Sequence, residues 1–542
     1  MKRLFNISKE KSIVVDKIIK NMKLEEKIGQ LLFLKQEEEG SLPFTPGGVM
    51  FRSQPEEELR RKIGYNDSKM KIKPFVSANL ESGPRGMISD SIEGITPLQV
   101  AATMDSLNAY KLGDISGGLA RKAGANMAFS PIVDINVNMD NPMVATRGFG
   151  SDVDEIIKFG RSEFDGFLKS GVIPVIKHFP GDGVSATDQH LLTAVNDLEP
   201  EEWMATYGRV YRELIALGAE VIMVGHISLP KYVSRFDSDK AGYPASVSEI
   251  IIKNLLKREL GYDGLIITDS THMAGYTSYH SRREAIVNSL NAGADMILFS
   301  RDPNEDFEYI EEAYRRGEIS IESIDEKVRR ILALKVKHNI LEDRTEDESI
   351  GDRIVEEGRK VFDEISDTSI TLLKDKQEML PLELKRKSVL LIPITRTKNI
   401  RDSQVDYFRE LLEEERAQVT VKNYRDEDSD EAKDLKMSVK EFVSRYDLVI
   451  YLVNVKILSN RTSIRMEYNA FNGVDAPWFV NEVDTLLISL SSPFHDRDAP
   501  MIKTVVNGYN DTRVTMDKIV EKIMGRSLFK GRDPFRERRQ DV

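Results

Sequence analysis

Apolar positions in the first 340 residues follow two alternating patterns. Short runs rich in β-branched residues sit between longer stretches with the spacing of one helix face. Eight runs read as buried strands: 30–34, 48–51, 74–79, 127–133, 172–178, 220–226, 264–269 and 295–299. Helical spacing fills most of the gaps, for example 248–260 and 283–292. The segment Gly293-Ala294-Asp295-Met296-Ile297-Leu298-Phe299 joins a glycine helix stop to a buried strand. Eight strands alternating with helices predict an α/β fold with an N-terminal (β/α)8 TIM-type barrel. An open doubly wound sheet is the rival, and eight separate strands favour the barrel.

Positions 324–340 read as a closing amphipathic helix, and the charged stretch after it carries no strand pattern. The expected organisation is a barrel domain over 1–342, a linker over 343–360 and a second domain over 361–542. In the second domain, 388–394, 419–423, 448–453 and 485–490 read as strands and 515–524 as the last helix. That pattern predicts an α/β sandwich. It lacks Gly-x-Gly-x-x-Gly, so a dinucleotide role has no support. The acidic run 426–434 reads as a solvated loop.

Composition narrows the function. The chain of 542 residues is 40 % apolar and 31 % charged, as expected for a soluble globular protein. A net charge of −12 argues against nucleic acid and against an anionic membrane surface as partners. With zero cysteines, thiol catalysis and Cys-ligated zinc are excluded, and a reducing cytoplasm is the expected location. No signal peptide is read in Met1 to Glu10, and no apolar stretch is long enough to span a membrane.

Chemistry is concentrated in Lys177-His178-Phe179-Pro180-Gly181-Asp182-Gly183, followed by Asp188-Gln189-His190, in a chain with 7 histidines. Barrel enzymes place reacting groups at the C-terminal ends of strands. Asn79 and Glu81 end one strand, Lys177 and His178 another, His226 a third and Asp269 a fourth. Asp269, after an apolar run, is the candidate nucleophile toward an anomeric carbon. Its bland alternative is a helix N-cap. Asp188 and His190 lie on one side of an extended loop in this reading, so the carboxylate orients an imidazole acting as general acid and base. A surface loop with incidental polar residues is the alternative. His178, Asp188, His190 and Asp269 are zinc-capable types, but no tight ligand spacing exists, so neither metal nor cofactor is expected.

These motifs resemble glycoside hydrolase family 3, in particular its β-N-acetylglucosaminidase branch. The likeness runs from Met22-Lys23-Leu24-Glu25-Glu26-Lys27-Ile28-Gly29-Gln30 through Phe129-Ser130-Pro131-Ile132-Val133-Asp134 and Asn141-Pro142-Met143-Val144-Ala145-Thr146-Arg147 to Thr268-Asp269. The Lys-His-Phe-Pro-Gly loop with its Asp-x-His is the branch's own mark. Ser369-Ile370-Thr371-Leu372-Leu373-Lys374-Asp375 resembles the entry to the family's sandwich domain. The resemblance implies a retaining mechanism with Asp269 as nucleophile and His190, held by Asp188, as acid/base. Candidate substrate-binding residues are Asn79, Glu81, Arg147, Lys177, His178, His226 and Met273. Three positions depart from the family pattern: Asn79 in place of an Asp, Asp182 in place of a His, and His272 in place of an Asp.

The implied function is an exo-β-N-acetylhexosaminidase that releases terminal GlcNAc from small soluble glycosides, muropeptides of cell-wall recycling or chitin oligomers. Phosphorolysis on the same site and a non-catalytic sugar-binding protein are the alternatives. The expected partner is a small carbohydrate, with the chain a monomer or homodimer.

Overall fold

In the computed structural model all eight predicted strands form, and they close into one barrel. The structure describes residues 5, 7–36, 44–342, 351–395, 403–424, 437–457, 459–468 and 473–535. Half of the segment Met1 to Glu10 read for a signal peptide, residues 343–350 of the expected linker and all of the acidic run 426–434 lie outside these residues.

The barrel strands, in chain order, are Leu32–Lys35, Gly48–Met50, Phe75–Ala78, Met127–Ala128, Ile173–Phe179, Val221–Val224, Leu265–Ser270 and Met296–Leu298. Each pairs in parallel with the next, and the eighth pairs with the first. All residues of the fifth and seventh strands are buried, because helices cover a parallel barrel outside while side chains fill it inside. Ile173 and Val175, Val221 and Met223, and Leu265 and Ile267 alternate along their strands and enter one core with Phe33 and Phe129. Counting on by two from each pair reaches Lys177, Gly225 and Asp269, so the inward series changes from apolar to polar at the strand ends.

Local signals account for the helices. Helix Val153–Ser170 starts where the Asp152 side chain accepts the Glu155 amide and stops at left-handed Gly171, φ +78°. Its buried face carries Ile156, Phe159, Phe164 and Phe167, and also Glu163. Helix Arg282–Ala292 opens with a Ser281/Glu284 capping box and ends at Gly293. The helix expected over 248–260 is a π-helix, Ile250–Glu259.

The second unit holds a six-stranded sheet in the order Thr371–Asp375, Thr504–Asn507, Asp484–Ser489, Leu448–Asn454, Ser388–Thr395, Gln418–Val421. The first strand is antiparallel to its neighbour, and the others run parallel. Val389 and Leu391 enter one core while Leu390, Ile392 and Ile394 enter another, so helices and loops cover both faces. Two strands were not read from the sequence. Thr371–Asp375 is mostly half-buried and Thr504–Asn507 has only 4 residues, so neither carries a strong pattern.

The domain expectations change in two places. Residues 351–360, expected as linker, open helix Gly351–Ser369, whose buried positions Gly358, Phe362, Ile365, Ser366 and Ser369 share one face beneath many charged neighbours. Residues 95–108 and 145–150, expected in the barrel domain, group with the second unit. There Gln99 Nε2 donates to Thr515 Oγ1 at 3.1 Å, and Thr96 Oγ1 donates to the Tyr509 carbonyl at 3.1 Å.

Candidate active site

Asp269 lies within the last turn of the seventh strand's inward series, and the strand continues to Ser270. No helix starts at this point, so the N-cap alternative does not apply. Oδ1 accepts the Ser270 amide at 2.6 Å, while Oδ2 is buried and takes no hydrogen bond from the described residues. Burial works against ionisation of this carboxyl. The imidazoles of His178 and His226, the Ser270 amide and His190 outweigh it and hold its pKa below the ordinary aspartate value. A buried carboxylate with one unused oxygen at a barrel mouth is suited to nucleophilic attack.

His178 reaches the same carboxylate from the fifth strand, with Nε2 3.9 Å from Asp269 Oδ2. Strict alternation would send Lys177 inward and His178 outward. The pairing register with the sixth strand shifts between Ile176 and Phe179, and both side chains serve the mouth. Asp134 fixes the imidazole: its Oδ2 lies 2.7 Å from His178 Nδ1, and its Oδ1 accepts the amides of His178 (3.2 Å) and Asp182 (2.8 Å). Lys177 Nζ donates to Glu81 Oε1 at 2.5 Å, so these two predicted binding residues form one ion pair.

The Asp188–His190 pair forms by a different route from the one expected. Asp188 Oδ1 accepts the His190 amide at 2.8 Å and lies 2.7 Å from its Nδ1. The segment is thus a tight side-chain-capped turn and not an extended loop. Asp188 is fully covered, whereas the His190 side chain keeps 20 % exposure.

His226 is a correction. Its Nε2 lies 2.9 Å from the Ser270 carbonyl and must donate, so Nδ1 accepts from the Ser246 hydroxyl at 2.8 Å. Burial lowers its pKa. Both nitrogens are used inside the fold, and His226 has nothing to offer a sugar; it positions the strand end. His272 likewise donates from Nε2 to the Ser300 carbonyl at 2.6 Å. Asn79 is exposed immediately after the third strand, and Met273 is buried at the rim after Asp269. Arg147 lies on the turn Ala145–Arg147, which groups with the second unit, so the barrel itself does not supply it.

Three carboxyls belong to this region beyond those read from the sequence as site residues. Asp134 is the hub described above. Asp182 is buried beside it, and burial followed by the Asp134 charge raises its pKa to about 6. Glu163 accepts the Ser130 hydroxyl at 2.8 Å, and burial raises its pKa to about 8. The readable signal was the same for Asp134 and Glu163: an acid inside an otherwise apolar pattern. Among the described residues no group of three or more His, Asp or Glu is placed to hold a metal ion.

A barrel that brings a bare carboxylate, two imidazoles and a lysine to its mouth has the layout of an enzyme of sugar chemistry, and comparison with known proteins agrees. Residues 23–334 match the glycosyl hydrolase family 3 N terminal domain. The "Beta-N-acetylglucosaminidase/beta-glucosidase" of Cellulomonas fimi is 32 % identical over 501 residues, which are 90 % of this chain and 88 % of that protein. The chain belongs to glycosyl hydrolase family 3 and is a glycoside hydrolase. Among solved structures, "Beta-glucoside phosphorylase BglX" superposes with a TM-score of 0.92 at 36 % identity, covering 98 % of this chain and 96 % of that one. A family 3 β-N-acetylglucosaminidase from Paenibacillus sp. str. FPU-7 has the same fold, with a TM-score of 0.80 at 23 % identity, 95 % of this chain and 99 % of that one. Among the described residues no helix is long and apolar enough to cross a membrane.

Proposed function

We propose that the protein is a retaining exo-β-N-acetylhexosaminidase that removes terminal GlcNAc from small soluble glycosides of the muropeptide or chitin-oligomer type. The observation that carries this reading is the buried Asp269 Oδ2, ionised and without a hydrogen bond from the described residues, beside the His178 imidazole. In the first displacement Asp269 Oδ2 bonds to the anomeric carbon, the glycosidic C–O bond breaks, and protonated His190 gives its proton to the departing oxygen. In the second, neutral His190 takes a proton from water as the water oxygen replaces Asp269. Two inversions leave the β configuration unchanged. Lys177, His178, Glu81, Asn79 and Met273 are the proposed contacts to the sugar. The proposal places the enzyme in the cytoplasm, in keeping with zero cysteines.

A second reading is favoured by the likeness at 36 % identity to a protein named as a β-glucoside phosphorylase. Here inorganic phosphate replaces water in the second displacement and the product is a sugar 1-phosphate. An imidazole acid/base supports this, because a carboxylate in its place would repel the incoming anion.

The test compares chromogenic β-GlcNAc and β-glucose glycosides with and without phosphate, with the sugar products identified. Cleavage of the GlcNAc substrate to free GlcNAc is the expected result. Sugar 1-phosphate formed at the expense of free sugar selects the second reading. A folded enzyme that turns over neither substrate sinks both.

A further inference from the structure

The loop that carries His190 is half-buried over most of residues 184–193, and Leu192 at its tip is 62 % exposed. General acid catalysis needs the opposite of a loose loop, since misplacement of about 1 Å costs roughly 100-fold. Gln189, between Asp188 and His190, is fully buried. Its Oε1 accepts the His226 amide at 2.9 Å. A Cβ at Gly225 would fall 3.1 Å from that oxygen and 3.3 Å from His178 Cβ, so the glycine leaves the space in which the amide sits.

The backbone on either side is tied to the same rim. The Ala274 amide donates to the His190 carbonyl at 3.0 Å, and the Ala194 amide to the His226 carbonyl at 3.1 Å. The Thr193 hydroxyl donates to the Gly275 carbonyl at 2.9 Å. At Gly275 a Cβ would lie 2.5 Å from the Gln189 carbonyl oxygen and 2.7 Å from that of Leu192, too close for any side chain. His226, the anchor, is itself fixed through both ring nitrogens.

We propose that Gln189 is a positioning residue: it clasps the His190 loop to the ends of the sixth and seventh strands, and proton donation to the leaving group depends on that clasp. This rests on His190 being the acid/base. Gln189→Met keeps the length and apolar volume of the side chain and removes the acceptor.

The experiment measures kcat/KM, which reports the first displacement, for dinitrophenyl, phenyl and alkyl β-glycosides. A dinitrophenyl group leaves without a proton; an alkoxide does not. In Gln189→Met we expect kcat/KM to fall about 10- to 100-fold on the alkyl substrate and to stay within about twofold on the dinitrophenyl one. Thr193→Val, which removes the outer tie, should show the same grading at smaller size and decides the matter if Gln189→Met fails to fold. Equal loss on all substrates, or none, overturns the clasp. The His190→Ala enzyme separates the two claims. If its loss is graded and that of Gln189→Met is not, the clasp falls alone; if its own loss is ungraded, the acid/base reading falls and takes the clasp with it.

Discussion

The barrel contains two aspartate–histidine pairs with the same 2.7 Å spacing between carboxylate and Nδ1, each carboxylate also taking the amide of its own histidine, and they differ in the burial of the ring. Asp134–His178 is buried, and Asp134 also accepts two backbone amides, from His178 and Asp182. Oδ1 takes both amides and Oδ2 faces Nδ1, so the pair holds the Lys-His-Phe-Pro-Gly-Asp segment in shape as much as it orients one ring. Asp188–His190 sits on a turn whose imidazole reaches solvent. The proposed mechanism gives the same residue types at the same distance two tasks. In that proposal the buried ring is an orienting group and the partly exposed ring a proton-transfer group.

The largest predicted effect falls on Asp269. Asp269→Asn removes the proposed nucleophile and should lower kcat/KM by about 1,000-fold or more, with the melting temperature nearly unchanged. Mass spectrometry with a slow 2-fluoro substrate should find the glycosyl adduct on Asp269 in the wild type and none in the variant. Substantial turnover by the variant would remove the assignment.

The comparison itself is tested by removing one member from each pair. His190→Ala should cost about 100- to 10,000-fold on substrates with poor leaving groups and little on activated ones. Asp134→Asn should cost up to about 100-fold on all substrates alike, together with on the order of 1–3 kcal/mol of stability, because it loosens the strand end and not the proton. If the two variants show the same leaving-group dependence, the division of labour is wrong.

The smallest effect concerns Glu163, which lies behind the site. Its pKa is raised from 4.5 to about 8, so between these values the folded protein keeps a proton that the unfolded chain has lost. Folding then binds protons, and this group's contribution to stability falls as pH rises across that window and is fully present below it. Glu163→Gln cannot ionise. Thermal melts should show it gaining on the wild type, by on the order of 1–3 kcal/mol, between about pH 5 and about pH 9. A constant offset would mean that the buried carboxyl does not titrate in this window.

The alternation of apolar runs was enough to count the barrel strands and to end four of them in polar residues, because parallel strands buried on both faces leave long apolar signatures. It also placed Asp269, since the period of two along Leu265, Ile267 and Asp269 is local. Asp188 and His190 were legible as a pair for the same reason, as neighbours in sequence. What needed the tertiary structure was every feature set by contacts distant along the chain. The register shift that brings His178 inward depends on pairing with the sixth strand. The engagement of both His226 nitrogens depends on Ser246 and Ser270, 20 and 44 residues away. The grouping of residues 95–108 and 145–150 with the second unit depends on a surface some 400 residues further along the chain. Periodicity reports which face a residue takes within its own element; which atoms meet across elements is decided by packing, and that information lies in no single stretch of sequence.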